Sequence, residues 1–226
     1  MPFITFEGID GSGKSTQAER LAARLRAAGR DVALFREPGG TALAERVRSI
    51  LLDPTLPIGD LAELLLFSAA RAQLVEERIR PALDAGIIVV CDRFYDSTSA
   101  YQGGGRRVAD LAWIDALNRE VTRDLVPDRT YLMEIDPDAA RARLRNRSEG
   151  PHADRMEQSN ASFYRRVAET YARLAEREPH RFMRLDGART VEEIEEEIWS
   201  DVQRLLAADD HSAGESGAEP RLPGSG

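Results

Sequence analysis

The chain has 226 residues, of which 42% are hydrophobic, and it carries a formal net charge of −8. That hydrophobic share can fill the core of one large domain, which excludes a globally disordered protein. No stretch approaches about eighteen consecutive apolar residues, which excludes a transmembrane helix, and the acidic balance argues against non-specific binding to nucleic acid or anionic membranes.

Five short apolar runs alternate with segments of helical periodicity. The β-prone runs cover residues 3–6, 32–35, 87–91, 130–133 and 182–185. Apolar residues at helical spacing predict helices over 15–28, 41–52, 60–83, 109–121, from 138 onward, 163–174 and 191–205. Because alternating strands and helices imply right-handed crossovers, we expect an α/β fold, a three-layer sandwich around a five-stranded parallel sheet.

The C-terminal segment 209–226 differs in composition from the rest of the chain. It contains four glycines, two prolines and a single larger aliphatic residue, Leu222. So little apolar surface cannot offset the entropy lost on ordering. We therefore predict one domain over residues 1–208 and a disordered acidic tail over 209–226.

Cysteine and histidine usage excludes two kinds of structural framework. Cys91 is the only cysteine, so no internal disulfide can form, and the three histidines show no metal-ligand spacing. The first residues enter an apolar run without the basic segment and cleavage site of a secretory signal. We expect a cytoplasmic protein with no nucleic-acid or membrane partner.

A phosphate-binding loop of the P-loop NTPase type is predicted between the first strand and the first helix. The pattern G-x-x-x-x-G-K-[ST] is met by Gly8, Ile9, Asp10, Gly11, Ser12, Gly13, Lys14 and Ser15. The glycines let backbone N–H groups turn inward around an anion at the helix N-terminus. Lys14 would reach the β- and γ-phosphates, and Ser15 would ligate Mg²⁺. Such strings also arise by chance, but this one contains the only lysine of a chain with 30 arginines.

Two further motifs follow predicted strands, at the edge of the sheet where α/β folds bind ligands. Asp92 and Arg93 come directly after the run 87–91; the carboxylate can hold Mg²⁺ through water, and the guanidinium can offset charge on a transferring phosphoryl group. The same dipeptide occurs elsewhere in the chain, so the functional interpretation depends on its position directly after a predicted strand. The motif 36–41 puts a cation and a carboxylate beside a glycine turn, and an ordinary surface turn would explain it equally well.

An arginine cluster follows the fourth strand. Arg141, Arg143, Arg145 and Arg147 fall within seven residues, an excess over the chain's own arginine bias. One interpretation is a solvated helix face, because these spacings scatter around a helix axis. The other is a mobile arginine lid over about 141–155 that closes on a triphosphate and excludes water.

Two observations narrow the class of nucleotide-binding protein. A switch GTPase needs a guanine-reading motif with its own lysine, and no lysine exists beyond Lys14. No catalytic base is predicted, and none is needed if the acceptor is a phosphate monoester, whose second pKa of about 6 leaves an anionic oxygen at neutral pH. The pattern favours a nucleotide over a nucleoside as acceptor.

Taken together, four motifs closely resemble thymidylate kinase, and the match runs in order from about residue 3 to 207. They occupy residues 6–17, 36–41, 66–71 and 92–103. The resemblance implies transfer of the ATP γ-phosphoryl group to dTMP, giving dTDP, with Mg²⁺, in a cytoplasmic enzyme that is usually a homodimer. The alternatives are a kinase for UMP, CMP or AMP, and a non-enzymatic ATP-binding module that binds ATP without transfer.

The resemblance also implies roles for single residues. The dTMP contacts would be Arg36, Glu37, Phe67, Arg71, Arg93, Ser97, Thr98, Tyr101 and Tyr164. Among these, Phe67 would stack on thymine, Arg71 would bond its ring edge, and Tyr101 would lie where a ribose 2′-hydroxyl would clash. Arg36 and Arg93 would grip the acceptor phosphate. A core position for Phe67 and a surface ion pair for Arg71 are the alternatives.

For catalysis and the donor, the implied residues lie in the loop and the lid. The ATP-binding set is the loop 8–15 with Thr16, the metal set is Ser15 and Asp92, and the catalytic set is Asp10, Lys14, Arg93, Arg143 and Arg147. Some family members carry a basic residue inside the loop, where this chain has Gly11 and Ser12. That departure leaves the lid arginines as the source of catalytic cations.

Overall fold

A computed structural model describes residues 1–147 and 160–215. Its sheet has five parallel strands in the order β2-β3-β1-β4-β5. Their bounds are β1 (Phe3–Glu7), β2 (Val32–Arg36), β3 (Ile88–Asp92), β4 (Arg129–Glu134) and β5 (Phe182–Asp186). The predicted α/β class, the five strands and their parallel arrangement are confirmed. Each strand ends one residue beyond its apolar run, so a polar residue stands at each carboxyl end.

The helices follow the predicted periodicity with one omission. Their bounds are α1 (Lys14–Ala27), α2 (Ala42–Leu52), α3 (Asp60–Leu74), α4 (Arg80–Asp84), α5 (Tyr95–Thr98), α6 (Leu111–Thr122), α7 (Pro137–Arg147), α8 (Ala161–Arg177) and α9 (Val191–Glu215). A π-helical turn, Val75–Ile79, joins α3 to α4, and a second π-helical segment, Ser99–Arg106, continues α5. The helical course of residues 95–106 was not predicted.

Helices cover both faces of the sheet and make the three layers. On one face, α1 and α9 pack on the central strands through residues such as Leu21 and Ile198. On the other face, α8 packs on β4 and on the π-helical segment through Phe163 and Val167. No helix within the described ranges is long and apolar enough to cross a bilayer.

Ion pairs join the phosphate-loop helix to the last helix. Arg20 of α1 lies 2.5 Å from Glu195 of α9, and Arg24 lies 2.7 Å from Glu196. The guanidinium of Arg24 also stacks over Trp199, at 4.6 Å from the ring centre. The acidic stretch of α9 therefore faces α1 and helps to hold the helix that begins at Lys14.

The predicted tail and the predicted lid each lie only partly within the described residues. Helix α9 continues to Glu215, beyond the predicted domain end at 208, because extending a formed helix costs far less than starting one. The remainder of the predicted tail, 216–226, lies outside the described residues. Helix α7 carries the arginine cluster, with Arg143 and Arg145 exposed, and the rest of the predicted lid, 148–155, also lies outside.

Candidate active site

The loops after β1, β2 and β3 meet at the carboxyl edge of the sheet, as parallel strands require. They enclose a cleft of about 230 Å³. Its lining residues are Asp10, Lys14, Ser15, Arg36, Glu37, Pro38, Arg48, Leu52, Phe67, Arg71, Asp92, Arg93, Ser97, Thr98, Tyr101 and Gln102. One cleft thus joins the predicted phosphate loop to the predicted acceptor residues.

The loop between β1 and α1 has the backbone that an anion site needs. Gly8, Gly11 and Gly13 have φ of 140°, 83° and 99°, a region that L-residues with a side chain rarely adopt. A Cβ on Gly8 would lie 2.6 Å from the carbonyl oxygen of Met133, so glycine is also required for space. Helix α1 begins at Lys14 with no side-chain cap, which leaves its first N–H groups available to an anion.

Lys14 is buried beside a carboxylate at the start of α1. Its side chain is 7% exposed, and Nζ lies 3.5 Å from Asp10 Oδ1 and from the carbonyl oxygen of Ile9. Burial, followed by repulsion from Arg93, lowers the pKa of the Lys14 ammonium. A phosphate would restore the solvation that this cation loses on burial.

Ser15 and Asp92 form a pair suited to a divalent cation. The Ser15 hydroxyl donates to Asp92 Oδ2 at 2.5 Å, and Asp92 Oδ1 is buried without a hydrogen-bond partner among the described residues. Mg²⁺ is commonly held by one or two protein oxygens together with phosphate oxygens and water. The hydroxyl and the free carboxylate oxygen therefore fit Mg²⁺.

Arg93 connects the third strand to the phosphate loop. Its backbone is left-handed, with φ of 72°, and its side chain reaches the loop that follows β1. The guanidinium donates to Asp10 Oδ1 at 2.6 Å, to Tyr101 at 3.1 Å and to the Gly8 carbonyl oxygen at 3.1 Å. Burial opposes ionisation of Asp10, but Arg93 and then Lys14 outweigh it and hold the pKa of that carboxyl well below its usual range. Asp10 thus stays charged between two cations.

Sequence reasoning missed a buried acid beneath this arginine. Glu7, the last residue of β1, is fully buried and accepts hydrogen bonds from the Phe94 N–H at 2.7 Å, the Ser97 hydroxyl at 2.6 Å and the Tyr171 hydroxyl at 2.7 Å. Burial, with repulsion from Asp96, raises the pKa of Glu7 to about 7, although Arg93 acts in the opposite direction. The only sequence signal was an acid at the end of a buried strand.

The raised pKa of Glu7 predicts a pH-dependent stability. The folded protein binds this proton more tightly than the unfolded chain, so the contribution is present below about pH 4.5 and is lost as pH rises through about 7. Relative to a Glu7→Gln variant, the wild-type free energy of unfolding should fall by roughly 2 kcal/mol between about pH 5 and pH 8. Urea unfolding of both proteins at each pH measures the difference. A difference that does not change with pH would contradict the raised pKa.

A second buried pair lies among the lining residues. Arg71 of α3 is 2% exposed and donates to Glu37 at 2.7 Å, to Thr98 at 2.8 Å and to the Phe94 carbonyl oxygen at 3.1 Å. Burial raises the pKa of Glu37, against the effect of Arg71, and Glu37 Oε1 has no hydrogen-bond partner among the described residues. The surface ion pair offered as an alternative for Arg71 is therefore wrong, because its acid is buried.

The cleft gathers most of the predicted acceptor residues. Phe67 is half-buried and lines the cleft rather than the core, and Arg36 lies at the rim, 3.1 Å from Glu45. Tyr164 does not line this cleft; it is buried in α8, with its ring edge-on to Phe163. Pro38, Arg48, Leu52 and Gln102 line the cleft and were not predicted.

The predicted catalytic arginines of the lid stand apart from this group. Arg143 is exposed on α7 and is not a lining residue, and the side chain of Arg147 lies outside the described part of the chain. Helix α7 nevertheless packs on the phosphate loop. The contact is so close that a Cβ on Gly11 would collide with the Ala140 carbonyl oxygen and lie 3.1 Å from Leu144 Cγ.

Comparisons with known proteins agree on one family. The thymidylate kinase family model matches residues 6–198. A thymidylate kinase of Deinococcus radiodurans is 49% identical over 200 residues, 88% of this chain and 95% of the relative, and one of Pelobacter propionicus is 48% identical over 204 residues, 88% and 93%. The crystal structure of thymidylate kinase from Ehrlichia chaffeensis superimposes with a TM-score of 0.72 at 38% identity, covering 89% of this chain and 98% of that one. The chain therefore belongs to the thymidylate kinase family and is a nucleoside-monophosphate kinase that phosphorylates dTMP in nucleotide biosynthesis.

Proposed function

We propose that this chain, in the cytoplasm, binds ATP on the loop 8–15 and Thr16 and dTMP in the adjoining cleft. The observation that carries this assignment is the carboxylate of Asp10, which lies 3.5 Å from Lys14 and 2.6 Å from Arg93. One cation belongs to the phosphate loop and the other to the motif after β3. Their shared acid brings the donor and acceptor sites together.

The transfer itself needs positioning and charge rather than covalent catalysis. A phosphate oxygen of dTMP attacks the γ-phosphorus of ATP while the bond from that phosphorus to the β–γ bridging oxygen breaks, and ADP leaves. Lys14 and Arg93 offset the charge that spreads over the transferring group. Asp10 holds both cations in place before the phosphates bind.

Base recognition is assigned to the buried pair of Arg71 and Glu37. Arg71 is held on three sides by Glu37, Thr98 and the Phe94 backbone, so its direction is fixed before substrate binds. Phe67 offers a half-buried ring in the same cleft. These features support stacking of thymine on Phe67 and a hydrogen bond from Arg71 to its ring edge. Tyr101 and Glu37 are assigned to the sugar side. Tyr164, expected to cover the nucleoside, is given no such role, because its side chain is buried against Phe163 outside the cleft.

Mg²⁺ would be held by Ser15 and Asp92. Among residues 1–147 and 160–215, no group of three or more His, Cys, Asp or Glu side chains could hold a metal ion. The remaining ligands would be phosphate oxygens and water, as Mg²⁺ prefers. When bound, the ion would neutralise charge on the phosphates.

The arginines of α7 are proposed to complete the donor site. At the loop positions where some family members carry a basic residue, this chain has Gly11 and Ser12, so the loop lacks that cation. Helix α7 lies against Gly11. Arg143 and Arg147 are therefore assigned to the triphosphate.

A coupled assay of ADP release tests the assignment of one cleft to both substrates. With ATP and Mg²⁺ present, we expect release to depend on dTMP, and dTMP should exceed dUMP in kcat/KM by a factor of about 10 to 200, the worth of one methyl group in an apolar pocket. Chelation of Mg²⁺ should abolish release. Equal release with and without dTMP would contradict the proposal.

An apolar face supports a homodimer. Exposed large apolar side chains on α2, α3 and α6 are Leu43, Ile50, Leu61, Leu65 and Trp113. Because α3 packs against both α2 and α6, these side chains belong to adjoining helices. An apolar patch of this kind on a soluble chain marks an interface, and a second copy presents the same patch.

A charge on this face should separate the subunits. We expect light scattering after gel filtration to give a dimer mass for the wild type and a monomer mass for Leu65→Glu. Val126→Glu, on the exposed loop between α6 and β4, is the matched control and should remain dimeric. A monomeric wild type would contradict the assignment.

A further inference from the structure

The guanidinium of Arg93 has further hydrogen-bond acceptors besides Asp10. One terminal nitrogen, Nη2, donates to Asp10 and Tyr101. The other, Nη1, donates to Ser97 Oγ at 2.9 Å and approaches the Tyr171 hydroxyl oxygen at 3.4 Å. The two hydroxyls thus approach the same nitrogen of Arg93.

Both hydroxyls donate hydrogen bonds to the same buried carboxylate oxygen. Ser97 donates to Glu7 Oε2 at 2.6 Å and Tyr171 donates to it at 2.7 Å, while Glu7 Oε1 accepts the backbone N–H groups of Phe94 and Ser97. Glu7 is fully buried, and Ser97 and Tyr171 are at least nine-tenths buried. One oxygen of Glu7 therefore supports the turn after β3, and the other holds the two hydroxyls.

The polarity of this network needs an acceptor at its far end. An arginine side chain only donates hydrogen bonds, and each hydroxyl has one proton to give. Ser97 can accept from Arg93 only if its own proton points elsewhere, and Glu7 Oε2 is where it points. The same holds for Tyr171. Above about pH 7, where Glu7 is ionised, its carboxylate accepts without donating, so Glu7 orients the protons of both hydroxyls.

From this geometry we infer that Glu7 is a positioning residue for phosphoryl transfer: through the hydroxyls of Ser97 and Tyr171 it fixes the guanidinium of Arg93 beside the phosphate loop. The inference rests on the proposed role of Arg93 at the acceptor phosphate. Burial of all three partners makes the arrangement rigid before substrate binds, which lowers the cost of binding.

The inference predicts a defect that depends on the phosphate of the substrate. In Glu7→Gln, the amide oxygen can keep the two backbone N–H groups, but the amide nitrogen donates to hydroxyls that were donors. Arg93 keeps Asp10, Tyr101 and the Gly8 carbonyl oxygen but loses the two oriented hydroxyls of Ser97 and Tyr171. We expect the Kd for dTMP to rise roughly tenfold while the Kd for thymidine changes by less than about twofold, as suits the loss of one charge-assisted hydrogen bond.

Calorimetric titration of the full chain with dTMP and with thymidine measures both constants. Tyr171→Phe removes one hydroxyl and should raise the ratio of the Kd for dTMP to the Kd for thymidine by a smaller factor. If Glu7→Gln does not fold, this variant tests the inference in its place. The matched controls are Asp201→Asn and Tyr131→Phe, a buried acid and tyrosine bonded to each other at 2.9 Å on the α9 side of the sheet. Both controls should leave the ratio unchanged.

Arg93→Met separates this inference from the function on which it rests. If Arg93→Met binds dTMP as the wild type does, the proposed role of Arg93 is wrong. If Arg93→Met loses the phosphate-dependent affinity and Glu7→Gln keeps it, or loses dTMP and thymidine equally, the role of Glu7 is wrong and that of Arg93 stands. In the double variant, Glu7→Gln should add no further loss to Arg93→Met, because both act through one guanidinium.

Discussion

Lys14→Ala should lower kcat/KM for ATP and dTMP roughly a thousandfold, as removal of a preorganised charge from a phosphoryl-transfer site does. Lys14 is the only lysine, and its ammonium is held at the N-terminus of α1 beside Asp10. The variant should fold normally, because the loss of one buried cation still leaves Asp10 paired with Arg93. Steady-state kinetics together with thermal unfolding measure the two effects.

A cation elsewhere on the same helix provides the control. Arg26 lies near the end of α1, donates to the Val32 carbonyl oxygen at 3.0 Å and does not line the cleft. Arg26→Ala should therefore retain full turnover. Wild-type kcat/KM in Lys14→Ala would mean that the donor phosphates bind elsewhere, and an unfolded Lys14→Ala would mean that the ammonium is needed for the fold.

The parts of the fold that sequence predicts are those fixed by local pattern. The run 87–91 is continuously apolar because β3 is covered on both faces, and this pattern identifies a central parallel strand. The phosphate loop is equally local, since its glycines and Lys14 lie within eight consecutive positions. Elements of this kind need no knowledge of the rest of the chain.

In the segment after β3, tertiary packing overrides the local sequence pattern. Three consecutive glycines, Gly103 to Gly105, suggest a turn, yet they lie in a π-helical segment. A Cβ on Gly104 would collide with Thr170, and one on Gly105 would lie 2.5 Å from Phe163. Gly104 and Gly105 therefore allow the close approach of α8, which the sequence does not reveal.

Buried charges were missed for a related reason. Glu7 and Tyr171 are 164 positions apart, and Arg181 bonds Asp96 across 85 positions at 2.8 Å. With 30 arginines in the chain, no single one stands out by composition. Only the folded arrangement shows which arginines are buried and which acids meet them.

Arg71→Met should affect both stability and substrate binding. Removing the guanidinium leaves Glu37, itself 6% exposed, as a buried carboxylate without its partner. Breaking a buried pair in this way costs about 3 kcal/mol of unfolding free energy. The KM for dTMP should also rise, because the proposed contact with the thymine ring edge is lost. Urea unfolding and steady-state kinetics measure the two quantities.

The partner acid allows the two effects to be separated. Burial already raises the pKa of Glu37, and without Arg71 the carboxyl can avoid its charge by taking up a proton, so the stability deficit should be smaller at about pH 5 than at pH 8. In Arg71→Met with Glu37→Gln, no buried charge remains unpaired, so stability should recover in part while the KM for dTMP stays high. Recovery of both together would assign Arg71 to the fold alone, and an unchanged stability of Arg71→Met would contradict the burial of this pair.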